Sequence, residues 1–503
     1  MSSPTGTIQP NGSTATYSAP TSFPSPNTVT VKATLQSDST KSASATVTIV
    51  YPSNNANLQA FPIKLGTSGG NANDLGTKVC CIGTLGSLIQ RGTTMFILSN
   101  NHVLARSGQG VAGEAINQPG QLPCFPVENT VANLTEAAAL KPANGTSGPA
   151  PSNVDAAIAQ IVSGAVDTSG TILELGAASP SSIADAPPSS TLAIPASVLA
   201  INEGVAKSGL GSGLTCSTLQ SVSVMISVQY ASVCGGATAF TSTFNNQVIV
   251  NGGTFSAAGD SGSLIVTSDT ARPVALLYGG NSTSTTGNPI QDIIIAFTNG
   301  SGTPAIVGGP DHAVSCAPTL SNSRAPNGPG TAALSAQQAI RAAMARDKFA
   351  GQLMQDPAVA EVSVGPSADN PREGAILVRI TGAIRVPIPA QLDDVRTRVI
   401  FDGVPAPRAT LADINRAITI KEVHVEGMMA QPGVQGFGVG VSADNSAEPA
   451  LIIYVIAGEP YPDFPAVIDG LRTQIMEGDR FRAFDWGKEN RKPQSCPRGI
   501  SPK

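Results

Sequence analysis

From residue 1 to about residue 315 the chain is written in short runs that alternate apolar and small polar side chains, TATYSAP, TVTVKATL, SASATVTIV and SVSVMISVQY among them, cut by Gly, Pro, Ser and Asn. A period of two puts successive side chains on opposite faces of an extended strand, and the cutting residues are those that turns require. Such segments bury their apolar positions by pairing into sheets, so a mainly β fold is expected. Composition agrees, because only 13% of the 503 residues are charged and Lys, Glu and aromatics are scarce beside Gly, Ser, Thr, Ala and Val. The length allows two to four domains. A formal net charge of −5 with no long basic run gives no reason to expect nucleic acid or an anionic membrane surface as partner. No apolar stretch reaches the roughly 18 residues that cross a bilayer.

Residues 1–52 carry two or three strand patterns, too few to close a sandwich. They resemble part of a bacterial immunoglobulin-like domain. The resemblance implies that the protein begins upstream, with a signal peptide there and an extracellular or cell-surface location; the cytoplasm stays open. Seven cysteines, at 80, 81, 124, 216, 234, 316 and 496, include no CxxC or Cys/His cluster of metal-ligand spacing, so no metal and no cofactor is expected. Cys216 and Cys234 flank SVSVMISVQY and are expected to staple a hairpin. Cys80 or Cys81 with Cys124 would bracket the segment around His102. An oxidising compartment fits such pairings.

The chemistry concentrates in three places. In MFILSNNHVLA an apolar strand, Met95 to Leu98, runs into a polar turn and then His102; the other two histidines, His312 and His424, lack such a setting. In SNVDAAIAQI, Asp155 stands just before a strand, where a carboxylate can be buried against an imidazole. In FSAAGDSGSLIV, glycines flank Ser261 in a tight turn before the strand Ser263 to Val266. A nucleophilic serine needs such a turn to project its hydroxyl and to let backbone N–H groups approach a developing oxyanion. Gly259 and Ser261 would donate those two N–H groups. Each signal alone also describes an ordinary turn, but their order, His, then Asp 53 residues on, then Ser a further 106, is that of the two-barrel serine proteases. No cysteine occupies a nucleophile turn and there is no HExxH, so cysteine- and metalloprotease chemistry is not expected.

Residues 60–305 resemble the trypsin-like serine peptidases, and most the bacterial and plant branch that includes the narrow-leaf protein. TLGSLI, ILSNNHVLA, INQPG, NVDAAIA, VAKSGLGSGLT, AAGDSGSLIV and PVALLYGGN carry the resemblance. It implies a two-barrel protease domain over 56–315 and a serine endopeptidase acting on protein or peptide substrates. His102 would be the general base, Asp155 its orienting partner and Ser261 the acylating nucleophile. Phe255, Tyr278 and Gly279 would border the substrate pocket. Phe255 stands six residues before the nucleophile where a trypsin-type pocket carries aspartate, which argues against cleavage after Lys or Arg and for an apolar or small side chain. Ile306, Val307, Gly308 and Gly309 spell the N-terminus that zymogen activation frees in trypsin relatives, but after Ser261, so they read as a strand-end turn and no activating cut is expected. The rival reading is a surface adhesion or binding protein whose protease fold is inactive or cuts only itself; the complete triad weighs against it.

Beyond a linker over 316–334 the chain repeats itself at an offset of 75: AVAEVSVGPSADN against GVQGFGVGVSADN, EGAILVRI against EPALIIYV, then PAQLDDVRT against PAVIDGLRT with one residue inserted. Copy 1 spans 335–408, copy 2 spans 409–486 and a tail follows over 487–503. Each copy reads as a helix, two strands, a short helix and a closing strand, an α+β module. Gly478 to Arg482, Gly-Asp-Arg-Phe-Arg, resembles a motif in a small domain that accompanies bacterial peptidases of this kind. Neither copy holds readable catalytic spacing, so packing on the protease, holding substrate protein, or a homo-oligomer built through exposed strand edges is expected of them.

Overall fold

The computed structural model describes residues 7–11, 14–18, 28–35 and 37–48, and then 54–483 apart from 75–81, 121–128, 142–153, 180–181, 194–200, 232–237 and 317–333. Near the start, Thr7–Asn11 pairs with Thr14–Ser18 and Thr28–Leu35 with Asp38–Thr48, two separate hairpins with no third strand among the described residues. The rest of residues 54–316 forms two sheets.

The first sheet has eight strands in the order Ala305–Ile306, Ser87–Arg91, Thr94–Ser99, Ala157–Ile161, Thr130–Ala137, Ala115–Asn117, Thr67–Asn71 and Gly83–Leu85. Leu88, Ile97, Leu98, Ile116, Val131 and Ile158 fill its interior at 0% exposure. In the second, Gly204–Gly209 pairs with Leu264–Thr267, which leads through Pro273–Gly280, Ser284–Pro289 and Thr238–Asn251 to Gly213–Ala231; the last pairs back with Gly204–Gly209, closing a six-stranded ring. Closure removes the unpaired edges that an open sheet would expose. Val205, Leu219, Val248, Val250 and Ile265 pack inside it. The fold is mainly β, as the strand patterning predicts, and two-barrelled, as the resemblance implies.

One pairing differs from expectation. Cys216 is bonded to Cys316, 100 residues on, with a Cα–Cα separation of 5.8 Å, and not to Cys234. The segment after Cys216 is a single 19-residue strand, Gly213–Ala231, whose antiparallel partner is the next strand, Thr238–Asn251, so the chain does not fold back between Cys216 and the end of that strand. At about 3.3 Å per residue, its length carries the chain tens of ångströms from Cys216 before position 234 is reached. Cys234 itself, and the Cys80, Cys81 and Cys124 of the other expected pairing, lie outside the described residues.

The repeats fold alike. Copy 1 has the helix Ala336–Leu353 against a sheet ordered Val359–Pro366, Gly374–Ile380, Val395–Phe401, Gln391–Leu392; copy 2 has Leu411–Met429 against Val434–Val441, Pro449–Ile456, Leu471–Gly478, Val467–Ile468. The short helix expected over PAQLDDVRT and PAVIDGLRT is instead a tight hairpin in both copies, Gln391 and Leu392 pairing with Arg396 and Val395. Asp393 and Asp394 take φ of +52° and +58°, and Asp469 and Gly470 take +47° and +80°, the left-handed pair that a two-residue hairpin turn needs and a helix excludes.

The copies interlock reciprocally. Ser367 Oγ donates to Asp444 (2.5 Å) and Ser442 Oγ to Asp369 (2.6 Å), while the Arg396 guanidinium reaches the Thr473 carbonyl and Arg472 the Thr397 carbonyl, each at 2.7 Å. Copy 2 also extends the barrel, because Val434–Val441 pairs antiparallel with Gly213–Ala231, Phe437 opposite Met225. Of the uses expected of the copies, packing on the protease is the one this strand edge makes.

Candidate active site

Thr94–Ser99 runs into Asn100, whose extended backbone opens a one-turn helix, Asn101–Leu104, with His102 inside it. The next strand over, Ala157–Ile161, pairs Ala157 with Ser99, so the two residues before its start lie beside that helix. This register brings Asp155 to His102. The carboxylate accepts the His102 Nδ1 proton at 2.6 Å and the His102 backbone N–H at 3.2 Å. Asp155 is 0% exposed and His102 5%. Burying a carboxylate demands full satisfaction by donors, and a third one arrives from far away in sequence: Tyr230, at the end of the long barrel strand, donates its hydroxyl at 2.8 Å. The backbone around Asp155 is pinned as well, its N–H to Asn288 Oδ1 (2.8 Å) and its carbonyl by Asn100 Nδ2 (2.7 Å). With Nδ1 committed to Asp155, Nε2 is the imidazole nitrogen left for proton transfer.

Ser261 sits in the turn before Leu264–Thr267, on the second barrel. Its hydroxyl donates to the Tyr278 carbonyl at 3.3 Å, and its own carbonyl accepts the Thr84 N–H at 2.7 Å. Gly262 has φ +94° and a side chain there would meet Ser99 Oγ at 2.1 Å, so only glycine can bring this turn against the first barrel. Gly83 makes the same point at the junction of the two halves. A Cβ on it would lie 2.9 Å from the Ser261 carbonyl oxygen and 2.5 Å from Val103, the neighbour of His102. His102 and Asp155 thus come from the first barrel and Ser261 from the second, with the seam between them closed to backbone contact. Gly259, the other expected oxyanion donor, takes φ +95° in the same turn, its carbonyl held by Thr84 Oγ1 at 2.8 Å.

Between Gly259 and Ser261, Asp260 points into the second barrel and meets Lys207 at 2.9 Å, both side chains fully buried. Its carboxylate also accepts the N–H groups of Gly211 (2.8 Å), Ser212 (3.2 Å) and Ala257 (2.9 Å) and the Ser212 hydroxyl (2.6 Å). Burial holds the Lys207 ammonium below the ordinary lysine range, with Asp260 acting in the opposite direction. Lys207 carries no local signature that marks it, and sequence reading missed it, as it missed Tyr230. The pair supplies a counter-charge for Asp260 from inside the fold. Residues 305–307 lie along the first sheet: Ala305 and Ile306 pair with Gln90 and Ile89, and the Val307 N–H donates to the Leu88 carbonyl at 2.9 Å.

The pocket residues are placed differently from one another. Phe255 is 2% exposed in the core of the second barrel, beside Val205, Leu219 and Val250, and so does not line an open pocket. A turn from Gly252, whose carbonyl takes the Phe255 N–H at 3.2 Å, points the ring inward. Tyr278 is also fully buried and meets Ser261 through its carbonyl; burial holds its phenol protonated far above the usual range. Gly279 is paired to Ala483. A cavity of about 440 Å³ lies away from these residues, between the two modules, lined by Arg372, Glu373, Arg396 and Tyr461. Among the described residues no group of three His, Cys, Asp or Glu side chains is placed to hold a metal ion, and no helix is long and apolar enough to cross a membrane.

No family model and no curated protein matches the chain. Among solved structures, protease A of Thermobifida fusca is similar over 49% of this chain and 99% of its own, at 16% identity and a TM-score of 0.31. A Nocardiopsis protease covers 48% and 98% at 13% identity and 0.31, and a Cellulomonas bogoriensis chymotrypsin 46% and 94% at 13% and 0.29. The fold is trypsin-like. Its strand order and the seat of His102, Asp155 and Ser261 between two barrels define it.

Proposed function

We propose that the chain is a serine endopeptidase that hydrolyses peptide bonds through an acyl-enzyme on Ser261. The observation that carries the reading is the buried Asp155–His102 contact at 2.6 Å, with its third donor from Tyr230, across the barrel seam from a glycine-bracketed Ser261. A dyad so satisfied fixes the imidazole tautomer and ring plane, which is what a general base for a serine hydroxyl requires. Ser261 Oγ attacks the peptide carbonyl while His102 Nε2 takes its proton. The N–H groups of Gly259 and Ser261 receive the oxyanion. His102 returns the proton to the leaving amine, and Asp155 stabilises the imidazolium meanwhile. Water then attacks the acyl-enzyme with His102 again as base. Export to an oxidising compartment belongs to this reading and is supported by the Cys216–Cys316 disulfide.

The test is labelling of the folded protein with a fluorophosphonate probe, followed by peptide mapping. Modification of Ser261 in the wild type that both Ser261→Ala and His102→Ala abolish is expected. A folded wild type that takes up no probe overturns the reading and leaves the inactive-scaffold alternative.

A further inference from the structure

The last described strand, Arg482–Ala483, bridges two strands of the second barrel beside the nucleophile. It runs antiparallel to Pro273–Gly280, with Ala483 opposite Gly279 and Arg482 opposite Gly280, and parallel to Gly213–Ala231, with Arg482 opposite Gln229. Leu264–Thr267 pairs with Pro273–Gly280 only as far as Leu276, so Gly279 and Gly280 extend past it with main-chain groups to satisfy. The contact that fills this edge is close. A Cβ on Gly279 would fall 2.4 Å from the Arg482 carbonyl oxygen, and only the missing side chain lets the two backbones meet. Gly279 follows Tyr278, whose carbonyl takes the Ser261 hydroxyl at 3.3 Å. The occupied edge therefore ends one residue from a group that touches the nucleophile.

The strand is held from copy 2. Phe481 and Ala483 turn into one buried cluster with Tyr230, Phe244, Tyr278 and Tyr454, while Arg482 between them is exposed. Phe481 is 0% exposed, packs edge-on to Tyr454 with ring centroids 5.8 Å apart, and gives its N–H to Gln435 Oε1 at 3.1 Å. Its carbonyl accepts the Gln229 N–H at 3.0 Å. The Asp479 carbonyl accepts Asn281 Nδ2 (3.0 Å) and Gln435 Nε2 (3.1 Å), and the Asp479 carboxylate takes the Ser282 hydroxyl. Ser261 is 0% exposed and His102 5%, so no peptide reaches them until a neighbouring segment moves. A peptide that presents a carbonyl to Ser261 needs a strand edge to pair with, because main-chain pairing supplies affinity and register without regard to sequence. The edge next to Tyr278 is the one that Arg482–Ala483 fills, and two strands cannot share it.

We infer that Arg482–Ala483 is an autoinhibitory strand: copy 2 holds it on Gly279–Gly280, where a substrate peptide would pair, and the peptidase stays closed until that strand is released. The inference rests on the endopeptidase reading above. Release is a local opening of a short terminal segment, and it leaves Val434–Val441 paired with Gly213–Ala231, so copy 2 stays attached while the edge is exchanged.

Fluorophosphonate labelling rates of the full chain test this, for the wild type, Ser261→Ala, Phe481→Ala and Ser282→Ala, beside hydrogen exchange at the Gln229 amide read from peptides that span it. The wild type is expected to label slowly and Ser261→Ala not at all. Phe481→Ala removes the buried anchor and is expected to label at Ser261 at least about tenfold faster, since the strand then lets go more readily. Ser282→Ala deletes only a surface latch and is expected to shift the rate the same way by a smaller factor; it decides the matter if the first variant misfolds. In each variant the Gln229 amide, freed from the Phe481 carbonyl, is expected to exchange faster in step with labelling. Labelling of Ser261 at one rate in the wild type and both strand variants, or faster labelling with Gln229 exchange unchanged, overturns this inference and leaves the endopeptidase reading intact. The absence of labelling in every folded variant, wild type included, refutes the endopeptidase reading itself.

Discussion

Lys207→Met isolates what the buried ion pair does for the nucleophile's turn. The substitution keeps the volume and removes the ammonium, leaving Asp260 charged at 0% exposure without the partner that stood 2.9 Å away. It also strips the Ser212 hydroxyl and the Gly213 carbonyl of a donor, at 2.6 and 3.0 Å. Breaking one side of a buried pair costs about 3–5 kcal/mol, most of it from stranding the remaining charge. For a folding unit of this size each kcal/mol moves the melting temperature by about 2–4 °C, so a fall of roughly 6–20 °C in the protease transition is expected. The double variant Lys207→Met/Asp260→Asn removes both charges yet keeps an acceptor for the N–H groups of Gly211, Ser212 and Ala257. It should regain a substantial part of the loss. Differential scanning calorimetry of the two singles and the double measures the coupling, and fluorophosphonate labelling reads out the turn, because Asp260 precedes Ser261 and holds the Ala257 N–H. Singles that melt with the wild type, or a double no more stable than the weaker single, would refute the reasoning.

Two further outcomes follow from the same geometry. Tyr230→Phe deletes one of the three donors to the Asp155 carboxylate, worth about 1.5–3 kcal/mol for a bond to a charged acceptor; a lower melting temperature and slower labelling of Ser261 than wild type are expected, and unchanged values in both would show that the hydroxyl is dispensable. At the interface of the repeats, burial first and the Asp444 carboxylate second push the Asp369 carboxyl up to about 7. Because the folded value lies above the unfolded one, this group's contribution is complete below about pH 4 and is lost as pH rises through 7. Urea midpoints of wild type and Asp369→Asn should therefore diverge in favour of the variant between pH 5 and pH 8, and a constant difference across that range would exclude the mechanism.

Much of the architecture was legible because its determinants are local. Period-two patterning announces strands whatever they pair with, and the two-barrel arrangement is what the resemblance to trypsin-like peptidases implies. His102, Asp155 and Ser261 each occupy a recognisable local setting, a strand end or a glycine turn, so their order alone suggested a triad. The repeat was visible as self-similarity, down to the SADN loops that interlock the copies. The errors share one cause. The nearer cysteine attracts Cys216 on paper because sequence does not show that one strand runs 19 residues from Gly213 to Ala231, and PAQLDDVRT reads as a helix because a charged run does not reveal two left-handed aspartates. Phe255 was given to a pocket by its distance from Ser261 in sequence, whereas the turn after Gly252 buries it.

By itself, then, the sequence determined that the chain would be built of paired strands, that a histidine, an aspartate and a serine would stand at their ends, and that a duplicated module would follow. Only the tertiary structure decided that Tyr230, 75 residues from Asp155, completes the carboxylate's hydrogen bonds, that Lys207 neutralises Asp260, and that Arg482–Ala483 lies against Gly279 near the nucleophile. Each of these depends on satisfying a buried charge or an unpaired backbone edge. Those demands are met by whatever group the fold carries to that point in space, and separation along the chain says nothing about which group that will be.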